Sequence, residues 1–156
     1  MEIERKFLIP DPPPGLERFP SSRIEQAYVA IDPAATEVRI RRRAGQTTLT
    51  VKGGRGRSRA EEELEIDPRT FARLWELSAG RCLEKTRYEL PGEGGLTIEL
   101  DVYGGRLEGL VVAEVEFPSP EAADRFAPAP WFGDEVTDDD AYKNRRLAVD
   151  GRPPGG

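Results

Sequence analysis

Apolar and polar residues alternate with a period of two along most of this chain, and the polar partners are charged unusually often. In the opening residues Glu2, Glu4 and Lys6 share one side of an extended segment, while Ile3 and Phe7 share the other. The same alternation predicts strands over residues 2–9, 24–31, 36–43, 47–52, 58–66, 83–90, 96–103 and 110–117. In the second of these, Gln26 and Tyr28 fall on one face and Ala27, Val29 and Ile31 on the opposite one. The proline-rich run from Pro10 to Pro14, Asp32-Pro33, Ala44-Gly45-Gln46 and the Gly/Arg stretch 53–57 mark the turns.

The period changes to that of a helix in three places. Asp67-Pro68 pairs an N-cap with proline at the first helical position, Phe71, Leu74 and Trp75 follow at helical spacing, and Gly80 ends the helix. Ser119-Pro120 starts a shorter helix that runs to about Phe126. Thr137 is the expected cap of a third, with Asp138, Asp139 and Asp140 at the positive end of its dipole. Many short antiparallel strands with few helices predict a mainly β, α+β fold, namely an eight-stranded antiparallel closed β-barrel with helices packed outside. The charged faces would line its interior as a tunnel, and the apolar faces would point outward under helices and loops.

Length and composition narrow the chemistry. The 156 residues suit one domain, over 1–150, with 151–156 as a flexible tail. There is no histidine, which removes histidine triads, Cys-His pairs and histidine-ligated metals. Any metal must then be a hard cation held by carboxylates, Mg²⁺ or Mn²⁺. The single cysteine, Cys82, excludes an internal disulfide and fits a reducing cytoplasm. No apolar run is long enough to span a bilayer, and no secretion signal is expected before the first charged strand. A net charge of −6 disfavours nucleic acid as a partner. The oligomeric state is left open, a homodimer included.

The charged stripes carry both signs. Glu2, Glu4, Glu37, Glu61, Glu63, Glu99, Asp101, Glu114 and Glu116 supply acid; Lys6, Arg39, Arg41, Lys52, Arg59, Lys85 and Arg87 supply base. A single such stripe is usually a solvated sheet surface. Recurrence over six strands points instead to one enclosed volume whose ions need partners, because an unpaired buried charge costs several kcal/mol. A polyphosphate with a divalent metal would satisfy both signs: arginine and lysine take phosphate oxygens, and clustered carboxylates take the metal.

On Glu2-x-Glu4-x-Lys6, Arg39-Ile40-Arg41, Lys52, Arg59 with Glu61 and Glu63, Lys85-Thr86-Arg87, Glu99-Leu100-Asp101 and Glu114-Val115-Glu116, the chain resembles the CYTH superfamily, the triphosphate tunnel metalloenzymes. Tyr142-Lys143-Asn144 resembles the C-terminal helix of its small prokaryotic members. The resemblance implies an eight-stranded tunnel that binds a triphosphate with divalent metal. Lys6, Arg39, Arg41, Lys52, Arg59, Lys85 and Arg87 would then grip phosphate, and Glu2, Glu4, Glu114 and Glu116 would lead the metal ligands, with Glu61, Glu63 and Asp101 as further candidates. The short form implies hydrolysis of inorganic triphosphate to pyrophosphate and phosphate. Adenylyl cyclisation of the class IV type, hydrolysis of thiamine or nucleoside triphosphates, and non-catalytic polyphosphate binding are the alternatives.

With histidine absent, a general base must be a carboxylate, a metal-bound hydroxide or a neutral lysine, a form that neighbouring positive charge favours. Lys52 is the candidate, oriented by Tyr28. The opposing reading leaves Lys52 as a phosphate ligand and Tyr28 as packing.

Overall fold

The computed structural model describes residues 3–32, 36–53 and 60–154, so the expectations placed on Glu2 and Arg59 lie outside the described residues. In chain order the elements are β1 (Glu4–Leu8), β2 (Ser21–Ile31), β3 (Glu37–Arg43), β4 (Gln46–Gly53), β5 (Ala60–Glu65), α1 (Pro68–Leu77), β6 (Cys82–Pro91), β7 (Thr97–Tyr103), β8 (Val111–Glu116), α2 (Pro120–Arg125) and α3 (Asn144–Asp150). The strands form one antiparallel sheet in the order β1-β8-β7-β6-β2-β3-β4-β5. No pairing joins β1 to β5 among the described residues, so the ladder is an open sheet where closure was expected. Side chains from both end strands nevertheless line one cavity, so the sheet is rolled.

The outer faces are apolar, as the alternation predicts. Phe7, Leu90, Ile98, Leu100, Val115 and Phe117 pack outside β1, β6, β7 and β8, beneath α2 and the segment that carries Phe126, Trp131 and Phe132. Arg5 pins that cover: its guanidinium donates to the carbonyls of Ala123 and Phe126 and pairs with Glu135 at 2.7 Å. Ala27, Ile40 and Phe71 make a second outer cluster, which seats α1 on β2 and β3. Asp67 caps α1 by accepting from the Thr70 amide at 2.7 Å, with Pro68 in the first turn. The β3–β4 hairpin turns through Ala44 and Gly45 at φ +51° and +79°, the sign that a two-residue turn between twisted strands requires.

Three details depart from the sequence reading. A bulge in β2 between Tyr28 and Ala30 sets Ile31 opposite Glu37, so Ile31 turns to the inner face. The inner face is not ionic along its full length: Tyr28, Leu83, Tyr103 and Val112 form an apolar end, joined by Leu147 and Ala148 of α3. This helix therefore plugs one end of the roll instead of packing outside it. It also begins later than expected. Thr137 accepts from the Lys6 amide and donates to Glu135, Asp139 caps only a short 3-10 turn, and α3 starts at Asn144. Arg106 holds the far end of α3 by donating to main-chain carbonyls, that of Ala148 at 2.8 Å.

Candidate active site

Antiparallel register turns the stripes into rows that cross the sheet. One row is Tyr28, Arg39, Thr50 and Glu63 on β2 to β5, and the next is Gln26, Arg41, Thr48 and Glu65. Glu37, Lys52 and Glu61 form a third. On the other wall Lys6 faces Glu114, which faces Glu99, and Glu4 faces Glu116. These rows enclose a cavity of about 480 Å³ lined almost wholly by polar and charged side chains.

The two walls differ in how their charges are settled. On the β6–β7 wall Arg87 grips Asp101 with Nε at 2.8 Å and Nη2 at 2.9 Å, and its Nη1 reaches Glu99 at 3.1 Å. Lys85 Nζ donates to the same Asp101 at 2.8 Å. Burial alone would raise the Asp101 carboxyl, but Lys85 and Arg87 outweigh it and hold the group at about 2. Burial also works against the charged form of Arg87, yet Asp101 and Glu99 push its value above the ordinary one. For Lys85 burial outweighs the pull of Asp101, and the ammonium sits below the usual lysine value.

The β3 wall is less fully paired, although Arg43 at its end reaches Glu89 at 3.6 Å. Arg39 has its Nε buried with no hydrogen-bond partner among the described residues. Arg41 donates from Nε to Gln26 at 3.0 Å, and burial, then the like charges of Arg39 and Arg87, lower it to about 10. Gln26, fully buried, passes the contact on by donating to the Tyr28 hydroxyl at 2.9 Å. Tyr28 is raised to about 12, chiefly by burial. The phenol therefore keeps its proton at neutral pH and has it available to donate.

Most of the predicted residues meet here. Lys6, Tyr28, Arg39, Arg41, Lys52 and Arg87 line the cavity, as do Glu4, Glu61, Glu63, Glu114 and Glu116. Lys85 and Asp101 do not: they lie beneath its wall, bound to each other. Lys52 has carboxylates, Glu37 and Glu61, as its direct cross-strand neighbours, with Arg39 in the adjoining row and Arg41 one row beyond. Sequence reasoning missed Gln26, an uncharged residue on a charged stripe, and Asn144 and Arg145, which reach the cavity from the start of α3. The apolar seat formed by Leu147 and Ala148 was the available signal for that helix.

Glu4 faces Glu116 and Glu99 faces Glu114, and cations offset part of this like charge: Lys6 Nζ lies 3.4 Å from Glu114 and Arg87 Nη1 3.1 Å from Glu99. Hard oxygen donors in that arrangement suit a divalent cation in kind. Among the described residues, however, no three acidic side chains already converge on one point.

No family model matches the chain. It is 44% identical over 149 residues to an inorganic triphosphatase of Nitrosomonas europaea, covering 95% of this chain and 97% of that one. It is also 38% identical to an inorganic triphosphatase of Acetivibrio thermocellus, over 94% and 92% of the two chains. A crystal structure of an inorganic triphosphatase superposes with a TM-score of 0.80 at 40% identity, over 99% of this chain and 97% of the other. A putative adenylyl cyclase from Hippeastrum with a dominant triphosphatase activity shares the fold at 22% identity and a TM-score of 0.56, over 80% and 83% of the chains. The chain belongs to the family of small CYTH-type inorganic triphosphatases.

Proposed function

We propose that this protein hydrolyses inorganic triphosphate to pyrophosphate and phosphate. The observation that carries the reading is the pair Arg39 and Arg41, the first with a buried Nε that has no hydrogen-bond partner among the described residues, set with carboxylates around one polar cavity. A phosphate chain supplies partners for the guanidiniums, and two relatives, 44% and 38% identical to this chain, are inorganic triphosphatases. Arg39, Arg41, Arg87, Lys6 and Lys52 hold phosphate oxygens and align the chain for in-line attack, which is most of what phosphoryl transfer asks of a protein. Water forms the new P–O bond, the bridging P–O bond breaks, and pyrophosphate carries away the electron pair.

Glu4, Glu114 and Glu116, with Glu61 and Glu63 opposite, are the residues we assign to a divalent cation, Mg²⁺ or Mn²⁺. Such an ion would neutralise phosphate charge and acidify bound water. We infer further that the roll of β1 towards β5 completes an enclosure around the substrate, since both edge strands contribute to its wall. The lone cysteine suits a cytoplasmic setting, and no helix is long and apolar enough to cross a membrane among the described residues.

To receive the proton of the attacking water in this scheme, Lys52 must first be neutral, against the pull of Glu37 and Glu61 beside it, and Tyr28 donates a hydrogen bond to orient the reacting groups. Lys52→Arg tests the first role. A fall in turnover with a changed pH–rate profile supports it; unchanged turnover and pH dependence reduce Lys52 to a phosphate ligand. Tripolyphosphate, ATP and thiamine triphosphate, assayed with Mg²⁺ and Mn²⁺, test the substrate. Release of cyclic AMP from ATP, or no phosphate release from any of the three, overturns the proposal.

A further inference from the structure

We propose that Asp101 and Lys85 are positioning residues that preset Arg87 for the phosphate chain, and that neither touches metal or substrate. The inference rests on reading the cavity as a triphosphate site.

The geometry leaves Asp101 little capacity for a metal. Its side chain is 1% exposed, and both oxygens are occupied by three donors: Arg87 Nε on Oδ1, Arg87 Nη2 and Lys85 Nζ on Oδ2. Lys85 is equally enclosed, with its side chain 0% exposed and its ammonium 5.5 Å from the centre of the Tyr103 ring. Arg87 alone of the three reaches the cavity lining. The fork-on-fork contact with Asp101 fixes one edge of the guanidinium plane and turns Nη1 outward, where Glu99 meets it.

Charge explains why the lysine is needed. Asp101 by itself would cancel the positive charge of Arg87 and blunt its attraction for an anion. With Glu99 also on Arg87, Lys85 brings the four charges to balance where they would otherwise sum to one negative, and it does so without presenting a second flexible cation to the substrate. A long side chain is thereby held in one direction before the ligand arrives, so little rotational freedom remains to be lost on binding. Buried charges of this kind persist only when they are fully paired, as these are.

The test combines kinetics, metal binding and a probe of Arg87 that needs no substrate. In Asp101→Asn the KM for tripolyphosphate should rise by about tenfold or more while kcat stays within about threefold, because binding orientation is lost and the chemistry is not. Calorimetric affinity for Mn²⁺ alone should be unchanged. The Arg87 Nε–H resonance, protected and shifted in wild-type proton–nitrogen spectra, should lose that protection. Adding Arg87→Lys to Asp101→Asn should cost less than the sum of the two single changes. Weaker Mn²⁺ binding in Asp101→Asn, or additive losses in the double variant, overturns the inference.

Lys85→Met provides a second route should Asp101→Asn not fold. The Arg87 resonance should survive in it while the KM for tripolyphosphate rises severalfold; an unchanged KM overturns the role given to Lys85. If wild-type protein cleaves no tripolyphosphate, the functional reading fails by itself, and the Arg87 resonance still decides whether Asp101 sets that side chain.

Discussion

The two walls of the cavity solve opposite problems. On the β6–β7 side, Lys85, Asp101, Arg87 and Glu99 satisfy one another, and the two innermost side chains are 0% and 1% exposed. On the β3 side, Arg39 has a buried Nε with no hydrogen-bond partner among the described residues, and Arg41 Nε donates to the neutral Gln26. The first wall is balanced before ligand arrives, with Arg87 still facing the cavity; the second leaves more for a ligand to complete. A buried ion pair contributes little net stability compared with apolar packing, but removing one member is severe, because the other is left charged and unsolvated. An unpaired cation can be removed at little structural cost, and the loss then appears in binding.

The largest expected effect follows from that asymmetry. Arg87→Met should destabilise the fold by about 3–5 kcal/mol in urea unfolding, since Asp101 would retain only Lys85. Arg39→Met should cost less than about 1 kcal/mol in the same measurement, since its Nε makes no hydrogen bond among the described residues for the change to break. Its kcat/KM for tripolyphosphate should fall by about 10- to 100-fold, the loss of a charge-assisted hydrogen bond to phosphate. Equal stability losses in the two variants would erase the distinction between the walls.

Acid provides a smaller and more local test. The Asp101 carboxyl is lowered from 3.8 to about 2 in the folded protein. A depressed folded value stabilises above the unfolded pKa, and the benefit fades as pH falls from about 4 towards 2. That difference is worth about 2–3 kcal/mol, and Asp101→Asn should remove this part of the acid slope in urea midpoints measured from pH 5 to pH 2.

Alternation told which face each residue occupies, and it told it well: Phe7, Ile40 and Leu100 are buried on the outer side as the period of two requires. It could not tell depth along the strand. Lys85 and Arg87 share one stripe of β6, yet only Arg87 reaches the cavity, because the roll narrows towards the apolar end where Tyr103 and Val112 pack. Nor does periodicity foresee an inserted residue. The β2 bulge moves Ile31 across the sheet, and nothing in the run Ala27 to Ile31 announces it. The helical cap signal at Asp67-Pro68 held because its partners are local. That at Thr137 did not, because β1, distant in sequence, takes the hydroxyl first.

The smallest effect is expected at the hairpin that joins two strands of the open wall. Ala44 occupies a left-handed conformation at φ +51°, followed by Gly45. Ala44→Asn creates the Asn-Gly pair such turns favour and should raise stability by about 0.5–1 kcal/mol, read as a higher thermal midpoint. Activity should not change, which would set the turn apart from the strands it joins.

The attachment of α3 has a practical reach. Arg106 recognises backbone oxygens at the end of that helix, and these are the same whatever residues are written there. Only Leu147 and Ala148 are fully sunk into the sheet. A protein engineer could therefore rewrite Lys143 and Arg145, at the opposite end, to admit differently shaped anions, and still expect the plug to stay in its socket.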